Sequence, residues 1–261
     1  MRILFQFLVL AGVFAGIFLG LSRVDFIGAV NLEKFGRKNA QKLGDMMVNS
    51  ILLSSEEVKD STALAFLDSL TRPLCAAGGL DADSIKIHLV RESEVNAFAL
   101  PGNHIIVHNS LFKFAKHPGE VAGVIGHELG HIKLDHLEKK LVKETGITLL
   151  FTIIGGESGQ QILKEIIRQI SSTSFDRDYE NEADAFAVKV LANSGVNPEK
   201  LSDFMYRISV KNNMPEELVF LSTHPDSKER AAAIIKQSKE YTISEKPLIR
   251  ASWEEVQKSM N

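Results

Sequence analysis

Residues 118–136 read Pro-Gly-Glu-Val-Ala-Gly-Val-Ile-Gly-His-Glu-Leu-Gly-His-Ile-Lys-Leu-Asp-His. Inside this stretch lies His127-Glu128-Leu129-Gly130-His131, an H-E-x-x-H pentapeptide. On a helix, His127 and His131 are four residues apart and project from one face. Two imidazoles at that spacing can hold one zinc ion, and Glu128 is placed to act as a general base toward water at such a site. The flanking residues favour the helix. Pro118 suits a first turn, and Glu120 suits the positive end of the helix dipole. Val121, Val124, Ile125, Leu129 and Ile132 supply an apolar stripe for a core.

The rest of the chain must supply that core. Its 261 residues suffice for one large domain or two small ones. The apolar fraction of 44% and charged fraction of 24% are those of an ordinary folded protein. A net charge of −3 gives no electrostatic case for nucleic acid as a partner. One cysteine, Cys75, excludes an internal disulfide and a cysteine-rich zinc site. It sits beside Leu74, Ala76 and Ala77 and reads as a small buried apolar residue.

The N-terminus is distinct. After Arg2, an uncharged run from Ile3 to Ser22 has the length needed to cross a hydrocarbon core of roughly 30 Å. Residues 1–22 therefore read as a transmembrane anchor or a signal peptide, the anchor fitting the length better. The membrane is then a partner through residues 3–22. The expected location is a bacterial inner membrane with the remaining chain facing the periplasm or outside, or the periplasm itself after cleavage.

Residues 23–80 read as a helical scaffold. A helix spans 31–53, and Ser54-x-x-Glu57 resembles a capping box opening a second one, which Gly78-Gly79 stops. Residues 81–240 form the main domain and 241–261 a tail. Three short strands come first: Ile85–Val90, Val95–Leu100 ended by Pro101-Gly102, and Ile105–Val107. They predict a small antiparallel sheet, with His88, His104 and His108 as solvent-face residues rather than ligands. Leu134–Lys143 reads as a solvated helix surface. Thr148–Ile154 reads as core or a flap near the cleft. Helical patterns follow over 160–170, 177–192, 199–210 and 226–239. The fold class is α+β and mainly helical.

A catalytic zinc needs three protein ligands and an open position. The best source of a third is Asp178-Tyr179-Glu180-Asn181-Glu182-Ala183-Asp184-Ala185-Phe186-Ala187. On a helix Glu180 and Asp184 share a face with Ala183 and Ala187, while Glu182 lies on another side. Two carboxylates one turn apart on an otherwise apolar face suit one on the metal and the other supporting a ligating histidine.

Four motifs occur in order: Asn96-Ala97-Phe98 with Pro101-Gly102, then His127–His131, Glu180-x-Glu182-Ala183-Asp184, and Thr223-His224-Pro225 with Arg230. Together, over about residues 85–235, they resemble the zinc metallopeptidase family that contains HtpX, the CAAX prenyl protease and BepA. The resemblance implies a zincin-like domain in which Glu180 is the third ligand and Asp184 supports the site. It implies that Asn96, Ala97 and Phe98 form an edge strand that takes extended substrate by main-chain pairing. His224 matches a histidine that lies over the metal and can block or assist it, and Arg230 an arginine paired near the site. Relatives often carry Pro-Gly-Gly where this chain has Pro101-Gly102-Asn103.

The reading that follows is a zinc-dependent endopeptidase, with one Zn2+ per chain, acting on protein or unfolded polypeptide in envelope quality control. The alternative is a zinc-bearing, chaperone-like binding module in which His224 keeps a rarely active site gated. Prenyl-protein processing fits less well, because it wants several membrane spans.

Overall fold

The computed structural model describes residues 26–155, 160–172, 174–210, 220–225, 227–244 and 252–260. The apolar run 3–22 lies outside the described residues. Among those described, no helix is long and apolar enough to cross a membrane.

Helix α1 (Phe26–Leu52) is kinked at Gly36, which adopts φ 64°. The second helix, α2 (Ser61–Gly78), starts later than the capping-box pattern predicts. Its N-cap is Asp60, whose side chain accepts from the Ala63 amide. Glu57 instead bridges to Val90 as a short antiparallel pairing, so that segment is an added sheet edge rather than a helix start. Gly79 ends α2 in the left-handed region, at φ 63°.

The sheet comprises β1 (Lys86–Val90), β2 (Ala97–Leu100) and β3 (His104–His108) in the order β1-β3-β2. It is mixed, not antiparallel as expected. β2 and β3 form an antiparallel hairpin, but β3 inserts between the other two strands and so runs parallel to β1. The hairpin turn places Gly102 at φ 74° and Asn103 at φ 66°. Asparagine is the side chain best suited to that region after glycine, which accounts for the Pro-Gly-Asn sequence there.

Both faces of the sheet are covered. Leu89, Ala97, Ile105 and Val107 belong to one apolar cluster, with α2 and the helices carrying the site. Val90, Phe98, Leu100 and Ile106 belong to a second, with Phe35, Leu43 and Met47 of α1. This corrects the solvent-face expectation for the strand histidines. His104 and His108 are buried, and the His88 side chain is only 18% exposed. His104 contacts His88, Gln41 and Asp45 at the α1 interface. His108 Nδ1 donates to the Glu94 carbonyl oxygen at 2.9 Å.

After the short α3 (Asn109–Phe114), α4 (Pro118–Lys133) carries the pentapeptide. His117 caps it by accepting from the Gly119 amide at 3.0 Å, and Pro118 occupies the first turn. Asp135 then turns the chain at φ 53° into α5 (His136–Thr145). That helix is not the solvated surface expected, since His136, Leu137, Lys140, Leu141 and Val142 are all buried. The apolar run 148–154 lies in α6 (Ile147–Gly155), where Leu150 and Ile153 enter the second cluster. α7 (Gln160–Ser172) follows. α8 (Arg177–Asn193) lies against α4, and α9 (Glu199–Val210) packs beyond it. The last elements are the single turn α10 (Phe220–Thr223), α11 (Ser227–Ser238) and α12 (Trp253–Ser259). The tail, unreadable in sequence, packs Val256 and Met260 into the first cluster.

Candidate active site

The site forms where α4 crosses α8. Their closeness depends on Gly130, where a Cβ would lie 2.9 Å from the Ala183 Cα. That approach lets a carboxylate one turn along α8 reach the histidines of α4. His127, His131, Glu180 and His224 each present one donor atom, all within 4.8 Å of one another, and all four residues are buried. His127 Nε2 and His131 Nε2 are 3.0 Å apart. Glu180 lies 3.5 Å from the first and 3.4 Å from the second. Three imidazoles and one carboxylate converging on a point form a donor set suited to zinc.

Behind these groups stands a second set of polar contacts. Asp184 Oδ1 accepts from His127 Nδ1 at 2.9 Å. Arg230, from α11, makes a two-pronged contact with Asp184 at 2.7 Å on each arm and also bonds Glu180. A single guanidinium thus bridges two buried carboxylates one turn apart. His131 is backed differently. Its ring stacks on Phe175 at 4.1 Å, and its Nδ1 lies 3.0 Å from Nδ1 of His136.

Glu128 is fully buried. Its Oε2 accepts from the Ala99 amide of β2 at 2.9 Å, so the edge of β2 away from β3 faces the site. Its Oε1 lies 3.4 Å from His224 Nε2. Neither of those two buried atoms has an aligned hydrogen-bond partner. Two buried polar atoms beside the histidine and carboxylate cluster are thus left for a ligand to satisfy. His224 Nδ1 also reaches Glu180 at 3.0 Å and His127 Nε2 at 3.2 Å.

Burial and charge act in opposition across the cluster. Burial alone would depress His127, but Asp184 and Glu180 outweigh it and carry that imidazole up to about 9. Burial would raise Glu180, yet His224, His127 and His131 hold it well below the carboxylate range. Glu128 is pushed up, chiefly by burial, against the pull of His224 and His127. A carboxyl raised in this way is a stronger base than a solvated one. His131 is driven well down by burial, which keeps its ring neutral.

Of the residues singled out in the sequence, His127, Glu128, His131, Glu180, Asp184, His224 and Arg230 come together here. Asn96 and Ala97 lie at the start of β2, buried, with Asn96 Oδ1 accepting from the Ala97 amide. Phe98 turns away into the second cluster and stacks edge-on with His108. His136, Phe175 and Tyr179 were not anticipated. His136 has no helical spacing to the pentapeptide, because Asp135 breaks the helix between them. An aromatic at 175 or 179 carries no signal above an ordinary core residue.

A family model described as peptidase family M48 matches residues 64–238. The beta-barrel assembly-enhancing protease of Yersinia pestis is 24% identical over 201 residues, covering 71% of this chain and 41% of that protein. The mitochondrial metalloendopeptidase OMA1 of Arabidopsis thaliana is 29% identical over 191 residues, 72% of this chain and 36% of that one. The metalloprotease LoiP of Escherichia coli (strain K12) is 26% identical over 208 residues, 75% and 82% of the two chains. The chain spans less than half the length of the first two relatives.

Proposed function

The chain belongs to peptidase family M48, and from that premise we propose that it is a zinc-dependent endopeptidase acting on unfolded protein. The observation that carries the reading is the convergence of His127, His131 and Glu180 beside a buried carboxylate, Glu128, that has one unpartnered oxygen. These three side chains would hold the ion. When bound, zinc supplies Lewis acidity toward a peptide carbonyl and lowers the pKa of water.

The protein groups do the remaining work. Glu128 takes a proton from the attacking water and delivers it to the leaving amine. Asp184 fixes the ring of His127, and Arg230 holds Asp184 and Glu180 in register. The outer edge of β2, from Asn96 to Phe98, offers main-chain groups to an extended substrate strand. For substrate to enter, the Ala99 amide must release Glu128. His224 occupies the remaining side of the site and gates it, with Arg230 or His224 able to stabilise a developing oxyanion once the site opens.

One observation favours a gated resting state. His127, Glu128, His131, Glu180 and His224 are all at 0–1% exposure, so no polypeptide reaches Glu128 without rearrangement. This is the feature shared with the alternative reading, a zinc-bearing chaperone-like module. We favour the peptidase because Glu128 has no structural role that a glutamine would not fill equally well.

One relative is named for work on β-barrel assembly and another for the mitochondrion. For this chain we place the proteolysis in a bacterial envelope, with residues 3–22 as a membrane anchor or export signal. Digestion of casein and of an unfolded outer-membrane protein, with and without chelator, tests the function. Cleavage that the chelator stops supports it. Binding of unfolded protein with no cleavage under any condition would replace it by the module.

A further inference from the structure

The two histidines of α4 are held from behind by different means. His127 Nδ1 meets a carboxylate directly, Asp184, at 2.9 Å. His131 Nδ1 instead lies 3.0 Å from His136 Nδ1, and His136 Nε2 lies 3.1 Å from Glu182 Oε2. His136 is fully buried, and its ring lies parallel to that of Tyr179 with centroids 4.3 Å apart and planes 8° off. The Glu182 side chain is 56% exposed.

The direction of these bonds follows from donor and acceptor chemistry. An ionised carboxylate only accepts, so His136 Nε2 carries the hydrogen. A neutral His136 then has a bare Nδ1, which accepts from His131 Nδ1–H. That leaves His131 with its lone pair on Nε2, the nitrogen 3.4 Å from Glu180 Oε1 and 3.0 Å from His127 Nε2.

We propose that Glu182 and His136 form a positioning relay that fixes the tautomer and ring orientation of His131 for the metal ion. The proposal rests on the reading that His127, His131 and Glu180 hold zinc. The acids of Glu180-Asn181-Glu182-Ala183-Asp184 then divide the work. Glu180 joins the ion, Asp184 holds His127, and Glu182 holds His131 through an intermediary. Glu182 is two residues from Glu180, about 200° around the helix, and cannot face the same point. The left-handed turn at Asp135 brings His136 into the gap and makes the connection possible. Tyr179, stacked flat on His136, stops the ring from rotating out of line.

The test is the zinc affinity of the full chain, read by competition with a fluorescent chelator, beside the melting temperature of the metal-free protein. His136→Phe keeps a flat ring against Tyr179 but removes the acceptor. Glu182→Ala removes the anchor at an exposed position. His136→Gln restores a side-chain carbonyl. We expect zinc affinity to fall roughly 10- to 100-fold in His136→Phe, the range seen when such outer partners of ligating histidines are lost. Glu182→Ala should show a smaller loss in the same direction, and His136→Gln a partial recovery. A role in packing alone would lower the melting temperature and leave the affinity of the folded protein unchanged, and that result overturns the relay. Should His136→Phe not fold, wild-type affinity in folded Glu182→Ala overturns it equally. Failure of the wild-type chain itself to bind zinc overturns the metal reading first, and the relay with it.

Discussion

His224 Nε2 lies 3.4 Å from Glu128 Oε1, and neither atom has an aligned hydrogen-bond partner. The proposed base and the proposed gate therefore face each other across the site. Removing the gate should free the base. His224→Ala is expected to raise kcat on an unfolded substrate several-fold while KM changes little. Equal or lower kcat in a zinc-loaded variant would mean that His224 assists the reaction instead.

Glu128 is separable from the metal. Glu128→Gln preserves shape and keeps an acceptor for the Ala99 amide, which now lies 2.9 Å from Oε2. The variant should bind one zinc ion per chain and lose cleavage by about 10²–10⁴-fold, the range expected for a lost general base. Zinc content by elemental analysis and digestion of casein check the two halves independently. Cleavage at the wild-type rate would remove Glu128 from the mechanism.

Arg230 lies between two buried carboxylates, Glu180 and Asp184. Arg230→Ala would take the guanidinium from both and leave them only their histidine partners, a change costing about 3–5 kcal/mol. Urea unfolding of the metal-free chain should show the loss as a lower midpoint. Arg230→Lys should recover only part of it, because one ammonium cannot reproduce the two-pronged contact with Asp184.

Gly130 allows the crossing of α4 and α8. Its missing Cβ would meet the Ala183 Cα at 2.9 Å and the Ala183 carbonyl oxygen at 3.0 Å, both backbone atoms. Gly130→Ala must push the helices apart, at an expected cost of about 1–3 kcal/mol. Because Glu180 rides on α8, activity should fall further than stability alone explains. Thermal melting and casein digestion at a temperature where the variant is folded will separate the two effects.

His104 predicts a stability change with pH that is independent of the site. Burial, together with Lys86 and His88 on β1, lowers it to about 4, against the pull of Asp45 on α1. The unfolded chain takes up a proton near 6.5 that the folded chain refuses until about 4. This contribution is therefore present above pH 6.5 and is lost as the pH falls toward 4. Urea midpoints at pH 7.5, 5.5 and 4.5 should fall more steeply for the wild type than for His104→Gln. Parallel curves for the two proteins would refute the assignment.

Much of the site is legible along the chain because its spacings are those of a helix. His127 and His131 share a face of α4, and Glu180 and Asp184 a face of α8, so periodicity alone pairs them. Gly79 and Pro118 likewise mark helix ends by backbone chemistry that is local. What failed was non-local. The polar and apolar alternation of the strands correctly gave three strands but not their order. It also assigned His104 and His108 to solvent, because α1, distant in sequence, covers His104, while the Glu94 carbonyl and Phe98 cover His108. The solvated reading of 134–143 failed for the same reason, since a lysine- and glutamate-rich helix can still bury one side.

The pentapeptide and the acidic motif on α8 determined by themselves which side chains share a helix face, His127 with His131 and Glu180 with Asp184, because one helical turn fixes which side chains can converge. Tertiary structure alone decided three further matters: that Arg230 joins Glu180 to Asp184, that His224 closes against Glu128, and that His136 stands between Glu182 and His131. Each joins groups on different elements, and their meeting depends on helix crossings and one left-handed turn at Asp135 that no periodicity encodes.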